Sequence, residues 1–255
     1  MLPAMSDAVL GIDIGGSGIK GNLVDPATGD LLAERLKVST PQPSKPKAVA
    51  MVVAEMAEHF DYHGLIGCTF PAIVRRGVTL SAANVHKSWI GTDAASLFSD
   101  VTGCDVIVVN DADAAGMAEV AFGAAKGVRG TVLVLTFGTG IGSGMFVDGL
   151  LVPNTELGHL NFAGCDSAED WASSRSKDDE GLSYEVWAGR VTQYLSHLDR
   201  LFSPDLFVIG GGISRKWEKF SDYIDVTVPT IPAQLQNEAG IVGAAVAAAG
   251  VRPAV

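Results

Sequence analysis

The chain has few means of cross-linking, membrane insertion or nucleic-acid binding. Only three cysteines occur in 255 residues. Cys68, Cys104 and Cys165 form no CxxC pair and no even set, which argues against a disulfide framework and for reduced thiols in a cytosolic protein. Residues 1–8 lack the charged start and apolar stretch of a signal peptide, and no run approaches the ~20 apolar residues of a membrane span; a cytoplasmic location is expected. Charged residues make up only 18%, and positive charge is the scarcer sign, with a net charge of −11. That balance disfavours nucleic acid and anionic membrane surfaces as partners, and a polyanionic ligand would need a local basic patch. Neither a GxxxxGK[ST] loop nor a GxSxG elbow is present, which excludes the P-loop class and the usual serine-hydrolase turn. What is plentiful is hydrophobic residues, at 47%, and glycine, with 30 residues clustered in short runs. The first indicates a compact core, and the second tight turns that let backbone approach a ligand.

Residues 8–14 form an apolar run stopped by Gly15-Gly16. Residues 19–24 run back, and Asp25-Pro26 with Thr28-Gly29-Asp30 turns the chain into residues 31–38, an expected antiparallel meander. Pro41 to Pro46 reads as a surface connection, and residues 48–60 have helical spacing. A buried strand at 65–70 ends at Pro71, and a loop-rich stretch, 72–91, carries Asn84 and Trp89. A helix at 93–102, a β-branched strand at 106–109 and an alanine-rich helix at 112–122 follow.

The pattern then restarts. A strand at 131–137 meets Gly138-Thr139-Gly140, residues 141–147 run back, and Asp148-Gly149 makes a hairpin, much as in residues 10–20. A polar helical region at 167–175, a helix at 184–202, a strand at 206–209 ending in Gly210-Gly211-Gly212 and a helix at 240–249 complete the chain. The expected architecture is α/β, with two lobes carrying related sheets and a cleft between them. Residues 1–111 form the small N-terminal lobe and 112–239 the large C-terminal lobe, with the last helix, 240–255, packing back on the first.

Asp13-Ile14-Gly15-Gly16-Ser17-Gly18 sets a carboxylate at a strand end and glycines in the turn after it. Backbone N–H groups there can approach phosphate oxygens with no Cβ in the way. Asp13 would stand near a transferring phosphate and hold Mg²⁺ through water, because that ion keeps most of its hydration shell; Lys20 is close by. Gly138, Thr139 and Gly140 offer a second set of donors, and Gly210, Gly211 and Gly212 a third. Asn110-Asp111 follows a buried strand. Both residues are good N-caps, yet a carboxylate at that strand end also suits a base. A sugar hydroxyl must lose its proton as a phosphoryl group arrives. Glu156 and His159, three residues apart beyond the second turn, suit neighbouring hydroxyls.

Asp13 to Lys20, Asn110-Asp111, Thr136 to Gly142, Glu156 to His159 and Gly210 to Ser214 resemble the sugar kinases of the ROK family, from about residue 9 to residue 250. The resemblance implies the two-lobed actin-like ATPase (ribonuclease H-like) fold of the hexokinase superfamily. Thr69-Phe70-Pro71 and residues 82–91, 153–159, 211–216 and 234–237 are more narrowly similar to the polyphosphate glucokinase and polyphosphate/ATP glucomannokinase branch. By that resemblance Asp111 is the catalytic base. Asn84, Asn110, Glu156, His159 and Glu169 bind sugar hydroxyls, while Asp13, Lys20 and the turns Gly15-Gly16-Ser17-Gly18 and Gly138-Thr139-Gly140 handle phosphate and Mg²⁺. Gly210 to Gly212 lie near adenosine when ATP binds, and Lys126, Arg215 and Lys216, with Lys87 and Arg129, line a basic track for polyphosphate. The implied reaction is transfer to the 6-hydroxyl of glucose or mannose from polyphosphate or ATP with Mg²⁺, by a homodimer. Many ROK members carry a CxCGxxGC zinc motif between the histidine and the later glutamate. Residues 160–168 are too short for it and hold only Cys165, so no zinc is expected.

Three other readings compete at this level, and the last two are disfavoured. One is an ATP-only hexose or amino-sugar kinase on the same scaffold. Another is a sugar-sensing transcription regulator, which in this family carries a DNA-binding segment ahead of the first lobe, whereas here the first strand begins by Ala8. The last is a chaperone or filament protein of the superfamily, which needs neither Asn110-Asp111 nor Glu156 and His159.

Overall fold

The computed structural model describes residues 8–83 and 85–251. In chain order the elements are β1 (Val9–Ile14), β2 (Gly18–Val24), β3 (Leu36–Ser39), α1 (Pro46–His59), β4 (Ile66–Phe70), β5 (Val74–Arg75), β6 (Val78–Thr79), α2 (Ala94–Thr102), β7 (Val106–Asn110) and α3 (Asp111–Ala121). There follow β8 (Thr131–Phe137), β9 (Ile141–Val147), β10 (Leu150–Val152), α4 (Ala168–Ala172), α5 (Ser174–Asp179), α6 (Tyr184–Phe202), β11 (Leu206–Gly210), β12 (Thr230–Pro232) and α7 (Ala239–Ala249). Two compact units divide them: residues 8–122 with 238–251, and residues 123–237. Among the described residues no helix is long and apolar enough to cross a membrane.

In the first unit the strand order is β3-β2-β1-β4-β7, with β1, β2 and β3 antiparallel and β4 and β7 parallel to β1. The side-chain alternation of β1 and β4 explains how the sheet is covered. Leu10, Ile12 and Ile14, with Ile66, Cys68 and Phe70, join a core with Val49, Val53 and Met56 of α1 and Phe98 of α2. The other face carries Gly11 and Asp13 beside Gly67 and Thr69, and α7 lies against it. A Cβ on Gly11 would strike the Ile241 carbonyl, one on Gly67 the Ala244 carbonyl, and one on Gly243 the Ala114 carbonyl of α3. Helix and sheet therefore meet backbone to backbone.

The second unit repeats the topology as β10-β9-β8-β11-β12, with β8, β9 and β10 antiparallel and β11 and β12 parallel to β8. Its core is different in kind. Trp187, Val191, Tyr194, Leu195 and Leu198 form one stripe of α6 and pack on Leu133, Leu135 and Phe137 of β8 and Phe207 and Ile209 of β11.

Several local expectations need correction. The strand expected at 31–38 begins only at Leu36, and Leu31 makes an isolated bridge to Val24. The buried side chain of Asn22 takes the ladder's place: its amide donates to Ala33 O (2.9 Å) and accepts from Ala33 N (3.2 Å). The polar helical region splits into α4 and α5 at Ser173, whose hydroxyl caps the second helix by accepting from Ser176 N at 3.1 Å. The loop-rich stretch contains the β5–β6 hairpin and a 3₁₀ turn, Lys87–Trp89. Pro41 to Pro46 is more than a surface connection. Ser44 is buried, accepts from His86 N (3.1 Å), and its carbonyl takes the indole N–H of fully buried Trp89 (2.8 Å).

Gly67→Ala should push α7 off the sheet and cost about 1–3 kcal/mol. Gly189→Ala, inside α6 where an added Cβ meets nothing within 4 Å, should instead stabilise by about 0.5–1 kcal/mol. Thermal unfolding of the two variants beside the parent reads both signs.

Candidate active site

Asp13, the last residue but one of β1, stands between cross-strand neighbours on both sides, Lys20 of β2 and Thr69 of β4. Lys20 Nζ lies 3.2 Å from Asp13 Oδ2, and the Thr69 hydroxyl donates to Oδ1 at 3.0 Å while accepting from Ile14 N at 3.1 Å. The first turn of α7 completes the surround, with Gly240 directly against the Asp13 carboxylate; a helix N-terminus favours negative charge there. Beyond Asp13 the chain turns through Gly15 to Gly18, closed by Gly15 N–H donating to Gly18 O at 3.0 Å, with Gly16 and Ser17 exposed at the tip.

Asn110 and Asp111 have different environments. Asn110 is 8% exposed, and its side-chain oxygen accepts from Ala112 N (2.8 Å) and Asp113 N (3.0 Å) as the N-cap of α3, while its amide donates to Ala72 O (3.0 Å). One amide hydrogen is left for any ligand. Asp111, the first residue of α3, is exposed, with Oδ1 accepting from Ala112 N at 2.9 Å. Phe70 pairs with Asn110 and Asp13 with Thr69. Asp13, Thr69 and Asp111 therefore lie along the carboxyl ends of three adjacent parallel strands, the usual ligand edge of such a sheet. Asn84 lies outside the described residues.

In the second unit two glycine turns stand side by side at the ends of β8 and β11, where Gly210 pairs with Thr136. Gly211 has φ of 80° and would drive any Cβ into the Phe137 backbone, so only glycine fits. Ser214 closes its turn with N–H and hydroxyl bonds to Gly211 O at 3.2 and 2.8 Å. Gly138 N–H donates to Gly140 O (2.9 Å), and Gly138 O accepts from Arg175 N (3.0 Å).

Beside these turns Glu156, His159 and Glu169 form a row. His159 Nδ1 is 3.4 Å from Glu156 Oε2, and Nε2 is 3.7 Å from Glu169 Oε1. Glu169 covers Gly140 and accepts from Ile141 N at 3.0 Å. The segment before His159 is tied to β9: Ser143 Oγ donates to Thr155 O and accepts from Leu157 N at 3.0 Å. Burial pushes the Glu156 carboxyl above its ordinary value; His159 pulls it down, and Glu169 adds to the rise. Residues 160–168 make a small hairpin. Phe162 and Cys165 exchange backbone bonds of 3.1 and 2.9 Å, and the Phe162 ring packs on Trp171, Tyr194 and His197.

The basic residues are more scattered. Lys87 is exposed on the 3₁₀ turn of the first unit. In the second, Lys126 and Arg129 are exposed ahead of β8. Arg215 and Lys216 are exposed on the 3₁₀ helix Gly212–Lys219, with Arg215 donating to Asn237 at 3.2 Å. Thr69, Thr40, Ser143 and Arg175 were not singled out from sequence as site residues. For Thr69 a signal existed in Thr69-Phe70-Pro71 at a strand end; the others act through contacts distant in the chain.

The chain is similar to known proteins in sequence and in fold. The sequence profile of the ROK family matches residues 9–174. A polyphosphate glucokinase of Mycobacterium tuberculosis (strain CDC 1551 / Oshkosh) is 50% identical over 238 residues, which is 93% of this chain and 89% of that protein. The inorganic polyphosphate/ATP-glucomannokinase from Arthrobacter sp. strain KM matches in structure with a TM-score of 0.88 at 50% identity, over 95% of this chain and 98% of the other. The ROK family glucokinase from Streptomyces griseus, solved with glucose and AMPPNP, matches with a TM-score of 0.77 at 25% identity, over 96% and 100% of the two chains. The two sheets of common topology are those of the actin/hexokinase-like ATPase superfamily, and within it this chain belongs to the ROK family.

Proposed function

We propose that the chain transfers a phosphoryl group from inorganic polyphosphate or ATP to the 6-hydroxyl of glucose, with mannose as a second acceptor. The observation that carries the chemistry is the exposed Asp111 carboxylate at the head of α3, in the same row of strand ends as Asp13 and the Gly15–Gly18 turn. β1 and β7 are separated by one intervening strand, or about 10 Å, so the two carboxylates serve separate tasks.

Asp111 acts as general base, taking the hydroxyl proton as the oxygen attacks the terminal phosphorus. Backbone N–H groups of the glycine turns receive the charge on the transferring phosphoryl oxygens. In the second unit Glu156, His159 and Glu169 suit sugar hydroxyls; in the first, Asn110 keeps one spare amide hydrogen for a hydroxyl. Magnesium fits Asp13 through water: Lys20 and Thr69 each engage one of its oxygens, which leaves acceptor capacity for metal-bound water. Among the described residues no group of three or more His, Cys, Asp or Glu offers a direct cage. Carried by the donor, Mg²⁺ would neutralise phosphate charge.

Polyphosphate and ATP, supplied separately with glucose and Mg²⁺, should each yield glucose 6-phosphate in a coupled assay; silence with both would sink the proposal. Asp111→Asn should lower kcat by about 10²–10⁴-fold with glucose affinity, read by calorimetry, nearly unchanged. A near-normal kcat would remove Asp111 from the base role. Because the Glu156 pKa is raised in the folded protein, its protonated form favours the fold below the ordinary glutamate value. That contribution is lost as pH rises through the raised value. Ionised Glu156 is the better acceptor for sugar hydroxyls, so glucose affinity should weaken as pH falls through the same window. Glu156→Gln should flatten both profiles, measured by pH-resolved binding and thermal unfolding.

A further inference from the structure

We propose that Thr40 and Gln42 are positioning residues for the turn after β1, holding its carbonyl groups away from the transferred phosphoryl group. The inference rests on the phosphate-handling role given to that turn above. The Thr40 hydroxyl donates to Gly15 O at 2.6 Å, Gln42 Nε2 to Gly16 O at 3.2 Å, and Thr40 N to Ser17 O at 3.4 Å. One short segment thus occupies three successive carbonyls of the turn.

A trans peptide is planar, with its C=O and N–H pointing in opposite directions. Fixing the carbonyls of Gly15 and Gly16 therefore fixes the N–H groups of Gly16 and Ser17 toward the opposite side, and both residues are exposed. A free glycine turn would sample flipped peptides, and a flipped one presents a carbonyl dipole to the anion. The clamp removes those states before the ligand arrives, which is how fixed dipoles gain their effect on developing charge.

The segment is itself anchored. Thr40 and Ser44 are each 5% exposed, and Ser44 O holds the indole N–H of Trp89 at 2.8 Å. Gln42 is exposed and has water available, yet its amide is spent on Gly16 O. The second unit treats its own turn in a similar way, with Gly138 O taken by Arg175 N at 3.0 Å.

The test uses full-length Thr40→Val, Thr40→Ser and Gln42→Leu beside the parent, with polyphosphate and ATP as separate donors. Thr40→Val should lower kcat/KM for both donors about tenfold, with KM for glucose and the unfolding midpoint little changed. Thr40→Ser, which keeps the hydroxyl, should recover most of the loss. Gln42→Leu should show a smaller loss of the same kind and, being at an exposed position, decides the matter if Thr40→Val does not fold. Unchanged donor kinetics, parallel shifts in donor and glucose KM, a loss confined to one donor, or no rescue by serine would overturn the proposal. A parent enzyme silent with both donors would instead remove the kinase reading on which it rests.

Discussion

The first unit depends on one contact: α7 lying directly on the backbone of β1 and β4. Helices usually stand about 10 Å from a sheet, separated by side chains. Here Gly11 and Gly67 leave no side chain to separate them, and Gly243 lets α3 approach the same helix as closely. The same seating brings the first turn of α7 to Asp13. A lysine, a threonine and the first turn of the helix surround that carboxylate and fix its orientation, beside a turn of exposed glycine and serine. Packing and site geometry are thus set by the same helix.

The second unit uses the same topology with different parts. Its helix α6 packs through aromatic and aliphatic side chains, and several close approaches cluster at the site. Gly211 lies against Phe137, Gly158 against the Ile141 carbonyl, and Glu169 over Gly140. Ile141 is pivotal: its N–H holds Glu169 and its carbonyl faces Gly158, the neighbour of His159. The first unit concentrates single carboxylates at strand ends. The second sets a carboxylate, an imidazole and a carboxylate in a row, suited to several hydroxyls of one polyol.

Much of this was legible in sequence because it is local. Apolar runs ending in glycine marked β1, β8 and β11, a helix was expected at 184–202 where α6 lies, and a strand running into Asn-Asp marked Asp111. The doubling of the strand–turn–strand pattern announced the two sheets. Features built from distant residues were not legible. Nothing in Asn22 foretells that its amide will imitate a strand ladder to Ala33. Thr40 and Gln42 read as ordinary loop residues because their partners lie 25 and 26 positions away. Asn110 illustrates the converse. Sequence alone could not choose between capping and ligand binding, and the structure gives both acceptor sites of its amide to the helix.

The net charge of −11 is at odds with a polyanionic donor only if phosphate must be recognised by formal positive charge. The one cation beside Asp13, Lys20, is already engaged by that carboxylate. The proposed phosphate contacts fall instead to backbone N–H groups, which add no charge to the surface and need no counterion when the site is empty. Such dipoles are effective only when they cannot rotate away, because a loose amide in water is already satisfied by solvent. An acidic protein can therefore serve phosphate chemistry if its turns are rigid. Here that rigidity would come from bonds to the turn carbonyls rather than from positive charge.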